Sequence, residues 1–287
     1  MAYDDTKWGG FAKIIVDTST MSVGDTVRVK SMTTGTNYDK QVATVGTPLI
    51  WDKEIFKDYV KICMVQTIND TPTEVGGVYR ELDYGETAYI NVLDKTTLGG
   101  IQGILNAHQE GSLLAIGDEV DITVSGSPVT FQVGAINLYD SHEVIFVAKH
   151  IQSLSETAVD YTSSNLRTSA QAFYSSIADK DKQFIKLTSR KCRRNADFAN
   201  YDDYVWIAGT QEALNQSVLI DGQSVFPIFV TQANRIKTWE GTAKAWWTDD
   251  SWSSSGAYSV GSDGAQYNNS ISMQLGLVPC FRLTADS

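Results

Sequence analysis

The chain has 287 residues, 42% hydrophobic and 20% charged, which suits one large or two ordinary cores and excludes a disordered chain. Its net charge of −11, from 34 acidic against 23 basic residues, argues against nucleic acid as a main partner, because phosphate binding needs a concentrated basic surface. Nothing approaches the roughly 18 consecutive apolar residues of a membrane span, so no membrane insertion is expected.

The opening "MAYDDTKWGGFAKIIVD" is acidic and lacks a basic segment followed by a long apolar run, so no signal peptide is expected. From Ile14 to Val92 the signals are those of strands. "TVRVKSM" alternates Val27 and Val29 with polar neighbours, and "TGTNYDKQVATV" carries a turn followed by alternation. "DYVKICMVQTI" and "TAYINV" follow, the latter after the turn "DYGE". Short strands separated by turns predict a small β-sandwich. With the aromatic strand near "LIWDKEIFKDYVKICMV", residues 12–93 resemble the immunoglobulin-like and carboxypeptidase-regulatory-like sandwiches of phage tail and head-fibre proteins. That resemblance implies an attachment domain. "LDKTTLGG" reads as a linker, which divides the chain into domains 1–95 and 96–287.

The second block opens with "GGIQGILNAHQEG", whose Ile101, Ile104 and Leu105 recur at helical spacing. In "IGDEVDITVSGSPVTFQV" alternation on both sides of Ser-Gly-Ser-Pro predicts a hairpin. "EVIFVAKHI" reads as a strand buried on both faces. Ser163, Ser164 and Asn165 are cap candidates for a helix carrying Leu166, Ala170, Phe173 and Ile177 on one face. "YDDYVWIAGTQEALN" reads as a strand running into a polar turn. The run Arg190-Lys191-Cys192-Arg193-Arg194 reads first as a solvated loop, although its charge could lower the Cys192 pKa.

Catalytic constellations are missing from the sequence. His108, His142 and His150 lack metal-ligand spacing, and Cys63, Cys192 and Cys280 lie far apart without C-x-x-C spacing. His150, ending an apolar strand, reads as a partly buried, satisfied residue. Asp202, Asp203, Asp249 and Asp250 could offer hard oxygen ligands, but acidic loops are mostly just solvated. No enzyme activity, cofactor or metal is expected.

"AWWTDDSWSSSGAYSV", residues 245–260, places three tryptophans within seven residues among serines and aspartates. It is followed by a glycine turn and the closing "GLVPCFRL". This order resembles C-terminal modules of phage structural proteins and Gram-positive surface proteins. Those modules pair a Trp-Trp-Leu-Arg-Ser-like segment with a Gly-Val-Arg-Pro-Ala-like strand. The resemblance covers residues 96–287 and implies a variant of the C-type-lectin fold, shared with formylglycine-generating enzymes. Here Thr248-Asp249 stands where Leu-Arg is usual, and Val278 where arginine is usual. The Glu-Pro-Asn and Trp-Asn-Asp motifs of calcium-binding lectins are missing, as is the oxidase cysteine pair.

The fold class expected is therefore mainly β: an N-terminal sandwich followed by a C-type-lectin-like α+β domain. Trp246 and Trp247 are expected at a strand end on opposite faces, with "TDDSWSSSG" as a loop beside the ligand surface. Trp252, Asp249, Asp250, Ser253, Tyr258, Tyr267 and Asn268 are the candidate receptor-binding residues, since aromatic faces stack on sugars and polar side chains match their hydroxyls. The reading as a whole is a phage fibre or adhesin, made in the host cytoplasm and built into the virion. Its partners would be other virion proteins and a host surface glycan or protein, with a homo-oligomer, such as a trimer, expected from the class. The alternatives are a head-decoration or fibre-base protein that binds only virion neighbours, a lectin-fold oxidase, and a host cell-surface adhesin.

Overall fold

In the computed structural model, which describes residues 11–19, 21, 23–55, 57–68, 71–214, 220 and 223–286, burial along the first strands alternates as the sequence does. β1 (Ala12–Val16) buries Ala12, Ile14 and Val16, and β2 (Thr26–Ser31) buries Val27, Val29 and Ser31. β3 (Asn37–Gln41), β4 (Leu49–Ile55), β5 (Asp58–Ile68), β6 (Thr71–Leu82) and β7 (Thr87–Ile90) follow. They form two sheets, ordered β4-β1-β7 and β3-β2-β5-β6. β1 runs antiparallel to β4 and parallel to β7. Trp51 of β4 is buried, and its indole N–H donates to the Tyr38 carbonyl of β3 at 3.1 Å, tying one sheet to the other. The residues on which the signal-peptide reading rests lie largely in 1–10, outside the described residues.

Helix α1 (Leu98–Asn106) corrects the expected domain boundary. Thr97 caps it by accepting the Gly100 N–H at 3.0 Å, and all of its residues are buried. A Cβ at Gly100 would stand 1.9 Å from the Asp94 carbonyl oxygen, and one at Gly103 would stand 2.9 Å from that of Val92. Glycine is needed at both for the helix to lie against 92–94, and the helix also packs on β6. The helix expected to open the second domain thus belongs to the first. That unit runs to Gln109 and takes in the chain end after Thr284, where the Asp286 N–H donates to Asn106 Oδ1 at 2.7 Å. Glu110–Thr284 forms the second unit. A break in strand periodicity marked a change of element, not a change of domain.

The second unit begins with α2 (Glu110–Leu113), β8 (Glu119–Val124) and β9 (Ser127–Ile136). Ser125 and Gly126 join β8 to β9 at φ of 48° and 81°, the two positive values a tight hairpin turn requires. β10 (Glu143–Ala148) is buried throughout, and β11 (Ser153–Ser155) follows. Next come α3 (Asn165–Ser176), α4 (Asp179–Lys182), β12 (Thr188–Arg194), β13 (Asp197–Asp203), β14 (Trp206–Ile207) and α5 (Thr210–Leu214). β15 (Lys237–Trp239), β16 (Thr242–Lys244), β17 (Trp246–Ser251), β18 (Gly256–Val260), β19 (Gln266–Ser270), β20 (Leu275–Leu277) and β21 (Pro279–Thr284) complete it.

One sheet of this unit runs β14-β21-β10-β9-β8, and a second runs β11-β20-β17-β12-β13 with β18 and β19 paired beside β17. In the first, Phe281 lies 4.8 Å from Phe131 and 5.1 Å from Phe146 between ring centres. Of the three cap candidates, Ser164 caps α3, accepting the Arg167 N–H at 3.0 Å, and Leu166, Ala170 and Phe173 are buried. The chain is mainly β, as its sequence predicts.

Three local expectations change. The polar turn after Ile207 is helix α5, the basic run is strand β12, and His150 is exposed, its Nδ1 lying 2.7 Å from Thr238 Oγ1.

Lys237 of β15 is 2% exposed, its ammonium 5.5 Å from the Phe229 ring centre, with no carboxylate ion-paired to it among the described residues. Burial lowers its pKa from 10.5 to about 8, against a weaker opposing influence of Cys280. The unfolded chain holds that proton up to about pH 10.4, so this group makes stability rise with pH between about 8 and 10.4. Lys237→Met is expected to stabilise the protein by about 3 kcal/mol at pH 7, the gain shrinking to about 1 kcal/mol or less at pH 10. Urea unfolding of both proteins at the two pH values measures it. An equal gain at both would trace the effect to packing.

Candidate functional site

The strand period of β12 places a cation in the interior. Thr188, Arg190 and Cys192 are buried while Ser189 and Lys191 are exposed. The buried Arg190 guanidinium meets Glu212 of α5 at 2.5 Å and stands 5.1 Å from the Trp206 ring centre. Glu212 is itself fully buried. Its two oxygens also accept the Tyr139 hydroxyl at 2.6 Å and the Gly209 N–H at 2.9 Å. Burial alone would lower the Arg190 pKa, but the Glu212 charge reverses this and holds it well above its ordinary value. Burial, then Glu212, raises the Tyr139 hydroxyl.

Beside this pair lie Asp249 and Asp250, 2% and 1% exposed, within β17. Asp250 accepts the Arg193 N–H at 2.6 Å and the Thr210 N–H at 2.7 Å. Asp249 Oδ2 accepts the Tyr201 hydroxyl at 2.6 Å. Burial, then the charge of Asp250, pushes the Asp249 carboxyl well above the usual carboxylate range, and burial also raises Asp250. The expectation that these aspartates sit in a surface loop is therefore overturned. β17 continues to Ser251 with both faces covered, so Asp249 and Asp250 cannot touch an external receptor.

The tryptophan pair behaves as its place in the strand requires. Trp246 and Trp247 are both fully buried, and their indole N–H groups donate to the carbonyls of Arg235 at 2.9 Å and Ser155 at 2.8 Å. Trp252 is 43% exposed, in the turn between β17 and β18. Ser253 and Tyr258 are half-buried, while Tyr267 and Asn268 are exposed. Tyr258 pairs with Asn268 across β18 and β19, so those two side chains share one face, and Tyr267, opposite Ser259, lies on the other.

A cleft of about 690 Å³ opens elsewhere in this unit, with Tyr139, Ser189, Lys191, Asn200, Asp202 and Gln223 on its walls. Arg190 and Arg282 also face it, and Arg282 is held by Asp140 at 2.9 Å and Glu143 at 3.1 Å. None of the seven residues expected from sequence lines this cleft. Sequence reasoning missed Tyr139, Arg190, Asn200, Glu212 and Gln223. The one usable signal was "TSRKC", whose period of two puts Arg190 on the same face as Thr188 and Cys192.

The chemistry of the remaining groups is restrained. Cys63, Cys192 and Cys280 are buried free thiols. Burial raises Cys63 to about 12 and lifts the other two as well. At Cys192 the next influences are Asp249 and Asp250, so the expected lowering by its basic neighbours is reversed. Asp203 pairs with Arg167 at 2.9 Å, and Asp202 accepts the Ser189 hydroxyl at 2.6 Å. Among the described residues no three His, Cys, Asp or Glu side chains form a group set to hold a metal.

A mainly β unit with a polar cleft backed by a buried ion pair is the class that fold and site define. Residues 142–285 match the family described as Domain of unknown function (DUF6273), and the chain belongs to that family. The match begins just before β10 and ends after β21, so it contains Arg190, Glu212, Asp249 and Asp250 but not Tyr139 or the β8–β9 hairpin. No curated protein and no solved structure matches the chain.

Proposed function

We propose that this chain is a non-enzymatic virion protein of a phage, a fibre or adhesin whose second unit binds a glycan or protein of the bacterial surface. The observation that carries the binding role is the cleft, whose walls offer hydroxyl, amide, carboxylate and ammonium groups on paired strands. Such groups match the hydroxyls of a sugar, and a rigid support keeps them in place. The phage origin and the lectin-like character rest on the sequence resemblance of the Trp-Trp segment and the closing strand. Trp252 and Tyr267 are two further exposed aromatic side chains on the same unit.

Adsorption of the labelled protein to bacterial cells and to purified cell-wall polysaccharide tests this. Asn200→Ala and Asp202→Ala, both at exposed positions, are expected to weaken adsorption at least tenfold while leaving the unfolding temperature unchanged. If Trp252→Ala or Tyr267→Ala weakens it instead, the ligand sits at that aromatic side chain and not in the cleft. If all four variants and the parent fail to adsorb, the adhesin role falls and binding to virion neighbours alone takes its place.

A further inference from the structure

Gly209 lies between β14 and α5, where three oxygens crowd one small volume. A Cβ built on it would stand 3.0 Å from Gln223 Oε1, 3.2 Å from Asp249 Oδ1 and 3.4 Å from Asp250 Oδ2. Asp249 Oδ1 and Gln223 Oε1 are both buried and accept no hydrogen bond among the described residues. Buried polar atoms of that kind are rare and call for a reason. Their orientations are fixed by other bonds. Gln223 Nε2 donates to the Lys191 carbonyl at 3.0 Å, which turns its oxygen inward, and Asp249 Oδ2 holds Tyr201.

The charges nearby do not balance. Glu212, Asp249 and Asp250 are three buried acids, and among the described residues Arg190 is the one base paired with them. Uncompensated buried charge is costly, and it is relieved by a counter-ion or by a proton. The donor set is all oxygen, two carboxylates and an amide, which suits calcium or magnesium and disfavours soft metals.

We propose that Asp249, Asp250 and Gln223 hold a hard divalent cation beneath the cleft wall, with water completing its shell. The ion enters past Gln223, which also lines the cleft. Once bound, it ties β17 to the segment carrying Gln223 and so stiffens the cleft. This site stands independently of the adhesin role, since it rests on the oxygens alone.

The full-length protein is stripped with EDTA, dialysed, and titrated with calcium chloride and with magnesium chloride by calorimetry and thermal unfolding. One of the two ions is expected to bind with a stoichiometry of about one and to raise the unfolding temperature by about 5 °C at hundredfold excess over its dissociation constant. Asp249→Asn keeps the shape and is expected to abolish that rise. Gln223→Leu, at a half-buried position, removes the amide oxygen and is expected to weaken binding at least tenfold. Unchanged unfolding of the parent in EDTA, calcium and magnesium would overturn the proposal and assign the oxygens to a proton on Asp249 or a buried water. Undiminished binding by Gln223→Leu would overturn the placement, even if Asp249→Asn does not fold.

Discussion

Trp247→Ala is expected to destabilise the second unit by about 3–5 kcal/mol, a large share of a domain's total stability. The ring is fully buried in β17, and its N–H donates to the Ser155 carbonyl of β11 at 2.8 Å. Alanine leaves a cavity and also an unpaired carbonyl. Trp247→Phe separates these contributions, keeping most of the volume while losing the donor, and is expected to cost about 1–3 kcal/mol. Trp252→Ala provides the contrast, because an exposed turn residue of this kind shifts stability by about 0.5 kcal/mol or less. Urea unfolding of the three variants gives the comparison. A Trp252→Ala loss as large as that of Trp247→Ala would mean that the turn after β17 belongs to the core.

Glu212→Gln is expected to cost about 3–5 kcal/mol, because it strands the buried Arg190 charge. The amide oxygen can still accept from Gly209 N–H while its NH2 turns to the Tyr139 hydroxyl oxygen, so the loss reports the missing charge more than the missing bonds. Adding Arg190→Met should then restore much of the stability, since an apolar side chain of similar length asks for no partner beside Trp206. The double-mutant cycle is read by urea unfolding at one pH. If the double variant is as unstable as the sum of the single ones, the pair is not the source of the effect, and Arg190 contributes through packing alone.

The two loop readings that failed share one cause. The loop reading of "TDDSWSSSG" and of Arg190-Lys191-Cys192-Arg193-Arg194 rests on the polarity of their residues alone. Yet Asp249 and Asp250 are buried in β17, and Arg190 is buried in β12. Polarity predicts exposure only when the partners of a charge are unknown. Once Arg190 meets Glu212, and Asp250 meets two backbone N–H groups, burial is affordable. Those partners come from α5 and β12, far from β17 in the chain, and no local window contains them. The cleft was invisible for the same reason, because Tyr139, Asn200 and Gln223 meet only after the chain has folded.

What the sequence by itself determined is local. Period two set the strands of the first unit and the β8–β9 hairpin, Ser125-Gly126 set its turn, and Ser164 with the spacing of Leu166, Ala170 and Phe173 set α3. Each follows from neighbours a few residues apart. Only the tertiary structure decided that α1 belongs to the first unit, that both aspartates turn inward, and that the polar cleft forms away from Trp252. These depend on which distant backbone groups and charges come within hydrogen-bonding reach, and a linear pattern carries no distance between them.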